Sequence, residues 1–127
     1  MTSTTGFTLL TTGAEFIQKY NRSDNKLIVF YVTKDNCPPC DVLAPKIKKW
    51  KETAAYNNCE FYEINSSHFT RATPDDIEFR EITTFPSIKF YKNYVNTDDG
   101  YIAFFHNSAD PQGMFLASDS FLVANKS

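Results

Sequence analysis

The stretch Leu27-Ile28-Val29-Phe30-Tyr31-Val32, continued through Thr33-Lys34-Asp35-Asn36 into Cys37-Pro38-Pro39-Cys40, decides the fold of this chain. Every position from Leu27 to Val32 is apolar or aromatic. That is the pattern of a strand buried on both faces, hence central in its sheet and covered by helices. Downstream, Leu43, Ile47, Trp50 and Ala54 recur at helical spacing, while Lys46, Lys48, Lys49, Lys51 and Glu52 fall on the opposite side. This predicts a long amphipathic helix over residues 41–55. Pro45 inside it lacks a backbone donor and crowds the preceding turn, which predicts a kink. The two cysteines therefore stand where a strand hands over to a helix.

Working outward, residues 7–10 read as a short strand, and Thr12-Gly13-Ala14-Glu15 as a capping box opening a first helix that ends near Tyr20. Phe16, Ile17 and Tyr20 give that helix one apolar face. Residues 59–64 read as the next strand. Thr73-Pro74-Asp75-Asp76 carries a cap, a first-turn proline and acids at a helix start, predicting a short helix to about Ile82. Residues 87–91 and 101–106 read as two strands of an antiparallel hairpin turned at Asp98-Asp99-Gly100. Asp110-Pro111 then caps a last helix with Met114, Phe115, Ser118, Phe121, Leu122 and Asn125 on one side, its start weakened by Gly113. The order β-α-β-α-β-α-β-β-α, without repeat or linker, describes one α/β domain over residues 1–127.

At 127 residues the chain is long enough to bury roughly two thirds of the surface its unfolded form exposes. Hydrophobic residues at 42%, 16% of all residues being aromatic, supply a dense core without disulfide staples. A net charge of −2 lacks the basic footprint that phosphate binding needs, so nucleic acid is not an expected partner. No segment is long and apolar enough to span a bilayer, and the N-terminus has no basic region followed by an apolar run. The expectation is a soluble, cytoplasmic monomer with no membrane partner.

Two thiols separated by two residues can close a small disulfide and reopen it without unfolding, and a CxxC near strand and helix patterns in a cysteine-poor chain reads as a redox motif. At the N-terminal edge of the helix, unsatisfied backbone donors and the positive dipole end favour a Cys37 thiolate. Cys37 then attacks a partner disulfide, and Cys40, one turn further in, attacks back to release the reduced partner. Cys40 is expected to be the less exposed of the two. Pro38 and Pro39 delete two backbone donors, no cation lies between the cysteines, and Asp35 and Asp41 oppose one Lys34. A thiolate so little stabilised makes the couple reducing rather than oxidising.

These residues resemble the thioredoxin family, including the catalytic domains of protein disulfide isomerases. Cys37-Pro38-Pro39-Cys40 followed by Leu43-Ala44-Pro45 is similar to the family's CxxC helix with its kink proline, and Thr84-Phe85-Pro86-Ser87-Ile88-Lys89-Phe90-Tyr91-Lys92-Asn93 to its cis-proline loop and following strand. The resemblance spans nearly the whole chain. It implies a thioredoxin fold, a central mixed five-stranded sheet flanked by about four helices, with Pro86 facing the cysteine pair. It also implies that the Phe85 backbone pairs with an extended substrate segment. Two departures bear on catalysis. Asn36 stands where the family usually has Trp, and the family's buried acid, which moves the resolving thiol's proton, falls at Tyr31 or Val29. Glu63, on the neighbouring predicted strand, is the candidate replacement in a proton relay.

The expected function is a thiol–disulfide oxidoreductase that reduces protein disulfides and needs no cofactor, its electrons arriving from a reductase or a glutathione system. The alternatives are a disulfide oxidase or isomerase domain, and a binding or adaptor domain that kept the fold without turnover. A structural zinc site wants four ligands and no second cysteine pair exists, so no metal is expected. Cys59 reads as a small buried residue at a strand start, His68 as loop surface and His106 as a strand-end polar residue.

Overall fold

The computed structural model describes residues 4–70, 82–93 and 101–126. Its centre is strand β2, Leu27–Thr33, buried at every position as its unbroken apolar run requires. With β1 at Thr8–Leu10, β3 at Cys59–Asn65, β4 at Ser87–Tyr91 and β5 at Ala103–His106, the sheet order is β1-β3-β2-β4-β5. The β1–β3 and β3–β2 pairs are parallel, and β2–β4 and β4–β5 antiparallel. The sheet is mixed and five-stranded, the thioredoxin fold.

Helix α1, Gly13–Tyr20, lies on one face, and α2, Pro38–Glu52, with α3, Pro111–Asn125, on the other. Because side chains alternate along a strand, β2 feeds two cores at once. Val29 and Tyr31 meet Leu43, Ile47 and Trp50 of α2 and Leu122 of α3. Ile28, Phe30 and Val32 meet Phe16 and Tyr20 of α1. The aromatic content is spent here. Phe16 and Phe30 pack edge to face at 4.7 Å, and Tyr20 stacks on Tyr91 at 4.6 Å. The Trp50 indole N–H donates to Asp119 at 2.9 Å, tying α2 to α3. Among the described residues no helix is long and apolar enough to cross a membrane.

The local signals at the Thr12 and Asp110 helix starts hold. Thr12 and Glu15 form the reciprocal capping box of α1, and Asp110 accepts from the Gly113 N–H at 3.0 Å ahead of α3. The bounds of α2 differ from the expectation of residues 41–55. It begins at Pro38 and stops at Glu52, leaving Ala54 exposed in a 3-10 turn over Ala54–Tyr56. Thr53 is the reason. Its hydroxyl donates back to the Lys49 carbonyl at 2.7 Å while its backbone turns extended, which ends the helix. The helix continues through Pro45. Strand β5 begins at Ala103 rather than Tyr101, whose ring packs instead on Tyr91 and Phe104. The expected helix after Thr73 and the turn at Asp98-Asp99-Gly100 lie outside the described residues.

Candidate active site

The two cysteines are placed by the handover from β2 to α2. Thr33 ends the strand, and the chain turns through Lys34-Asp35-Asn36, with Asn36 at φ 55°. This left-handed backbone is one that Asn tolerates better than most side chains. Cys37 is then the N-cap of α2 in extended backbone, followed by Pro38 and Pro39 in the first turn, where a missing N–H disrupts no helical bond. A Cys37–Cys40 disulfide results, with Cα atoms 5.2 Å apart. The Cys40 backbone N–H donates to Cys37 Sγ at 3.3 Å.

The expected contrast in exposure is not found. Cys37 is 5% and Cys40 4% exposed, because the bond and the shared cap hold both sulfurs at one depth. What distinguishes them is access from the side. A cleft of about 320 Å³ is lined by Cys37, Pro38, Thr84 and Phe85 but not by Cys40. The Lys34 ammonium lies 5.6 Å from the centroid of the Phe85 ring at its edge. The Phe85–Pro86 peptide is cis, as the resemblance implies. Pro86 itself is buried and does not line the cleft; Thr84 and Phe85, just before it, do.

On the other side, a second cavity of about 270 Å³ is lined by Cys37 and Cys40 together with Thr4, Asp35, Asp41 and Asn65. Asp35 anchors its rim. Its carboxylate accepts from the Asn65 amide at 3.0 Å and lies 2.7 Å from His68 Nε2. These two contacts hold the Asp35 carboxyl below its ordinary value. His68 is loop surface as expected, yet it pins the loop that carries the cysteines.

Tyr31 is one of the two positions, with Val29, where the resemblance puts a buried acid. Its hydroxyl donates to the Cys40 carbonyl at 2.8 Å. Burial first, then the nearby charges of Glu63 and Asp41, push its phenol far above the usual value, so it remains a donor and not a base. Glu63 is its direct neighbour on β3 in the sheet register and shares the α2 face with Phe61 two residues earlier. Glu63 is 2% exposed. Its carboxylate accepts from the backbone N–H groups of Thr4 and Thr5 at 3.1 and 3.2 Å and from the Thr5 hydroxyl at 2.7 Å. The Thr4 hydroxyl lies 3.1 and 3.2 Å from the two carboxylate oxygens.

Thr4 and Thr5 were invisible to sequence reasoning, since a threonine ahead of the first strand carries no spacing signal. The Asp35–Asn65–His68 cluster was missed because its members come from the turn after β2, the end of β3 and the turn beyond it. Cys59 is 8% exposed at the start of β3, apart from the cysteine pair, with burial raising its thiol pKa. His106 ends β5 in solvent. Among the described residues, no three His, Cys, Asp or Glu side chains come together in a way that could hold a metal ion.

The family model described as Thioredoxin matches residues 7–103. No curated protein matches the sequence. Among solved structures, the chain is similar to the thioredoxin of Malassezia sympodialis at a TM-score of 0.72 and 16% identity, covering 100% of this chain and 96% of that one. It is similar to thioredoxin O2 of Arabidopsis thaliana in its oxidized state at 0.70 and 19%, covering 100% of both. A third likeness, at 0.66 and 20% over 94% and 99%, is to a structure described for thiol resolving in yeast mitochondrial 1-Cys peroxiredoxin via glutathione/thioredoxin systems.

Proposed function

The chain belongs to the thioredoxin family, and from that premise we propose that this thiol–disulfide oxidoreductase works as a reductant of disulfides in other proteins. The observation that carries the reading is the Cys37–Cys40 disulfide at the start of α2, flanked by a cleft that Cys37 alone of the pair shares with Thr84 and Phe85. In the reduced protein the Cys37 thiolate attacks one sulfur of a substrate disulfide, and the substrate's other sulfur leaves. Cys40, as thiolate, then attacks Cys37 Sγ, reforming the internal disulfide and expelling the substrate's second thiol. Two electrons pass to the substrate, and the two thiol protons end on its sulfurs. An external dithiol, a reductase or the glutathione system restores the pair.

The direction of flow follows from the helix start. Pro38 and Pro39 have no N–H, so of the first-turn donors the Cys40 N–H is the one bonded to Cys37 Sγ. The neighbouring Asp35 and Asp41 disfavour negative charge, with Lys34 as a partial offset. A weakly stabilised thiolate leaves the dithiol eager to be oxidised. Extended substrate chain along Thr84 and Phe85 brings its disulfide to Cys37 by strand addition.

Insulin reduction by dithiothreitol tests the reading. The wild-type protein accelerates precipitation of the insulin B chain, and Cys37→Ser falls to the rate of dithiothreitol alone. A wild-type protein no faster than dithiothreitol alone would assign the fold to an adaptor role instead.

A further inference from the structure

Glu63 is the buried carboxylate nearest in register to the phenol on Cys40, yet it does not line the cavity that the cysteines share; Thr4 does. Thr4 is exposed, while Glu63 is 2% exposed. The Thr4 hydroxyl sits 3.1 and 3.2 Å from the two Glu63 oxygens, and the Thr4 N–H donates to Oε2 at 3.1 Å. A hydroxyl that donates its own proton inward keeps its lone pairs for a donor on the cavity side. We propose that Thr4 is the bridge through which the Cys40 proton reaches Glu63, making the N-terminal segment a working part of the resolving step. The inference rests on the reading of Glu63 as proton acceptor.

The step balances. With substrate held on Cys37, the Cys40 S–H proton passes through a cavity water to Thr4 Oγ, and the Thr4 hydroxyl proton passes to Glu63. Cys40 is left as thiolate and Glu63 as the neutral acid. The thiolate displaces the substrate sulfur from Cys37, and Glu63 returns its proton to solvent by the same route. No external oxidant or reductant enters.

Among the described residues, the other groups that bear on this cavity are Tyr31 on β2, Lys34 and Asp35 in the turn, Asp41 on α2, and His68 acting on Asp35. Thr4→Val and Thr4→Ser add and remove no charge, so the variants compare one proton path against the same set of charged neighbours. Thr5 holds Glu63 separately through its hydroxyl at 2.7 Å, which keeps the carboxylate seated when the Thr4 hydroxyl is removed.

The test follows the second thiol released when the reduced full-length protein meets stoichiometric dithiobis-nitrobenzoate, across pH. A positioned general base contributes ~100- to 10,000-fold, so losing the bridge while water can still enter should slow the step about tenfold or more near neutral pH. Thr4→Val shows that loss, Thr4→Ser runs at the wild-type rate, and all converge at high pH, where Cys40 ionises unaided. Glu63→Gln shows the same loss, and Thr4→Val adds nothing to it. A Thr4→Val profile like wild type beside a slow Glu63→Gln would overturn the bridge and keep Glu63. Unchanged profiles in both would overturn the two together, and equal slowing in Thr4→Ser would show that the hydroxyl is not the agent.

Discussion

Around Cys37, what proline removes matters as much as what the helix supplies. A helix start ordinarily offers several free N–H groups to an anion, but Pro38 and Pro39 withdraw theirs and the Asp41 N–H is bonded to the Cys37 carbonyl at 3.2 Å. The thiolate is left with the Cys40 N–H. In a mildly oxidising glutathione buffer the pair should therefore stand as disulfide, read by alkylation and mass. Pro39→His, which puts a cation at the helix start, should shift the potential by about 30 mV or more toward oxidising, the equivalent of ~1.4 kcal/mol of reduced-state stabilisation. A wild-type pair found mostly as dithiol in that buffer would remove the reductant assignment. Residue by residue, the cysteine pair was legible from its spacing, and the cis Phe85–Pro86 bond only through the family resemblance. Glu63 was legible as an acid on the strand next to β2, but its burial was not, because the Thr4 and Thr5 groups that permit it are remote in sequence. The burial of Lys89 carries no signal in the sequence. Lys89 is fully buried in β4, its ammonium 4.5 Å from the Tyr101 ring centroid and 4.9 Å from that of Phe104. A lysine in a strand pattern reads as solvent-facing unless those rings are known to lie beneath it.

Helix α3 shows how an element's signal misleads when one residue is read alone. Gly113 weakens a helix by its flexibility, which makes Gly113→Ala a nominal improvement of about 1 kcal/mol. In place, a Cβ on Gly113 would lie 2.2 Å from Asp110 Oδ2, the side chain that caps the helix through the Gly113 N–H. Alanine thus displaces the cap, whose loss costs about 1 kcal/mol. Gly113→Ala should be neutral or destabilising by urea unfolding in the wild-type background, yet stabilising by roughly 0.5–1 kcal/mol in Asp110→Ala. A clear gain in both backgrounds would show that the cap carries no weight. The same interplay explains the end of α2. Apolar periodicity extended it to Ala54, but the Thr53 hydroxyl competes for the Lys49 carbonyl and ends the helix earlier. Periodicity locates the buried face of a helix, whereas its last turn is decided by hydrogen bonds that periodicity does not report.

Across the whole molecule, one strand organises both structure and chemistry. β2 pairs with β3 and β4 along its length, feeds a core on each face, and delivers the cysteine turn at its end. Its centrality was plain in the sequence, because a strand apolar at every position has to be covered on both sides. The two cavities were not, since they form where the cysteine turn meets segments distant along the chain, Thr84 and Phe85 on one side and Thr4 and Asn65 on the other. Cys37 borders both and Cys40 only the second, and on this asymmetry rests the proposal that Cys37 attacks and Cys40 resolves. It is tested most directly by trapping. Cys40→Ser, reduced and mixed with a disulfide-bearing protein substrate, should hold that substrate on Cys37 as a stable mixed disulfide located by peptide mass mapping. A substrate found on Cys59, or captured by Cys40 in Cys37→Ser while Cys37 in Cys40→Ser stays bare, would contradict the assignment of the nucleophile.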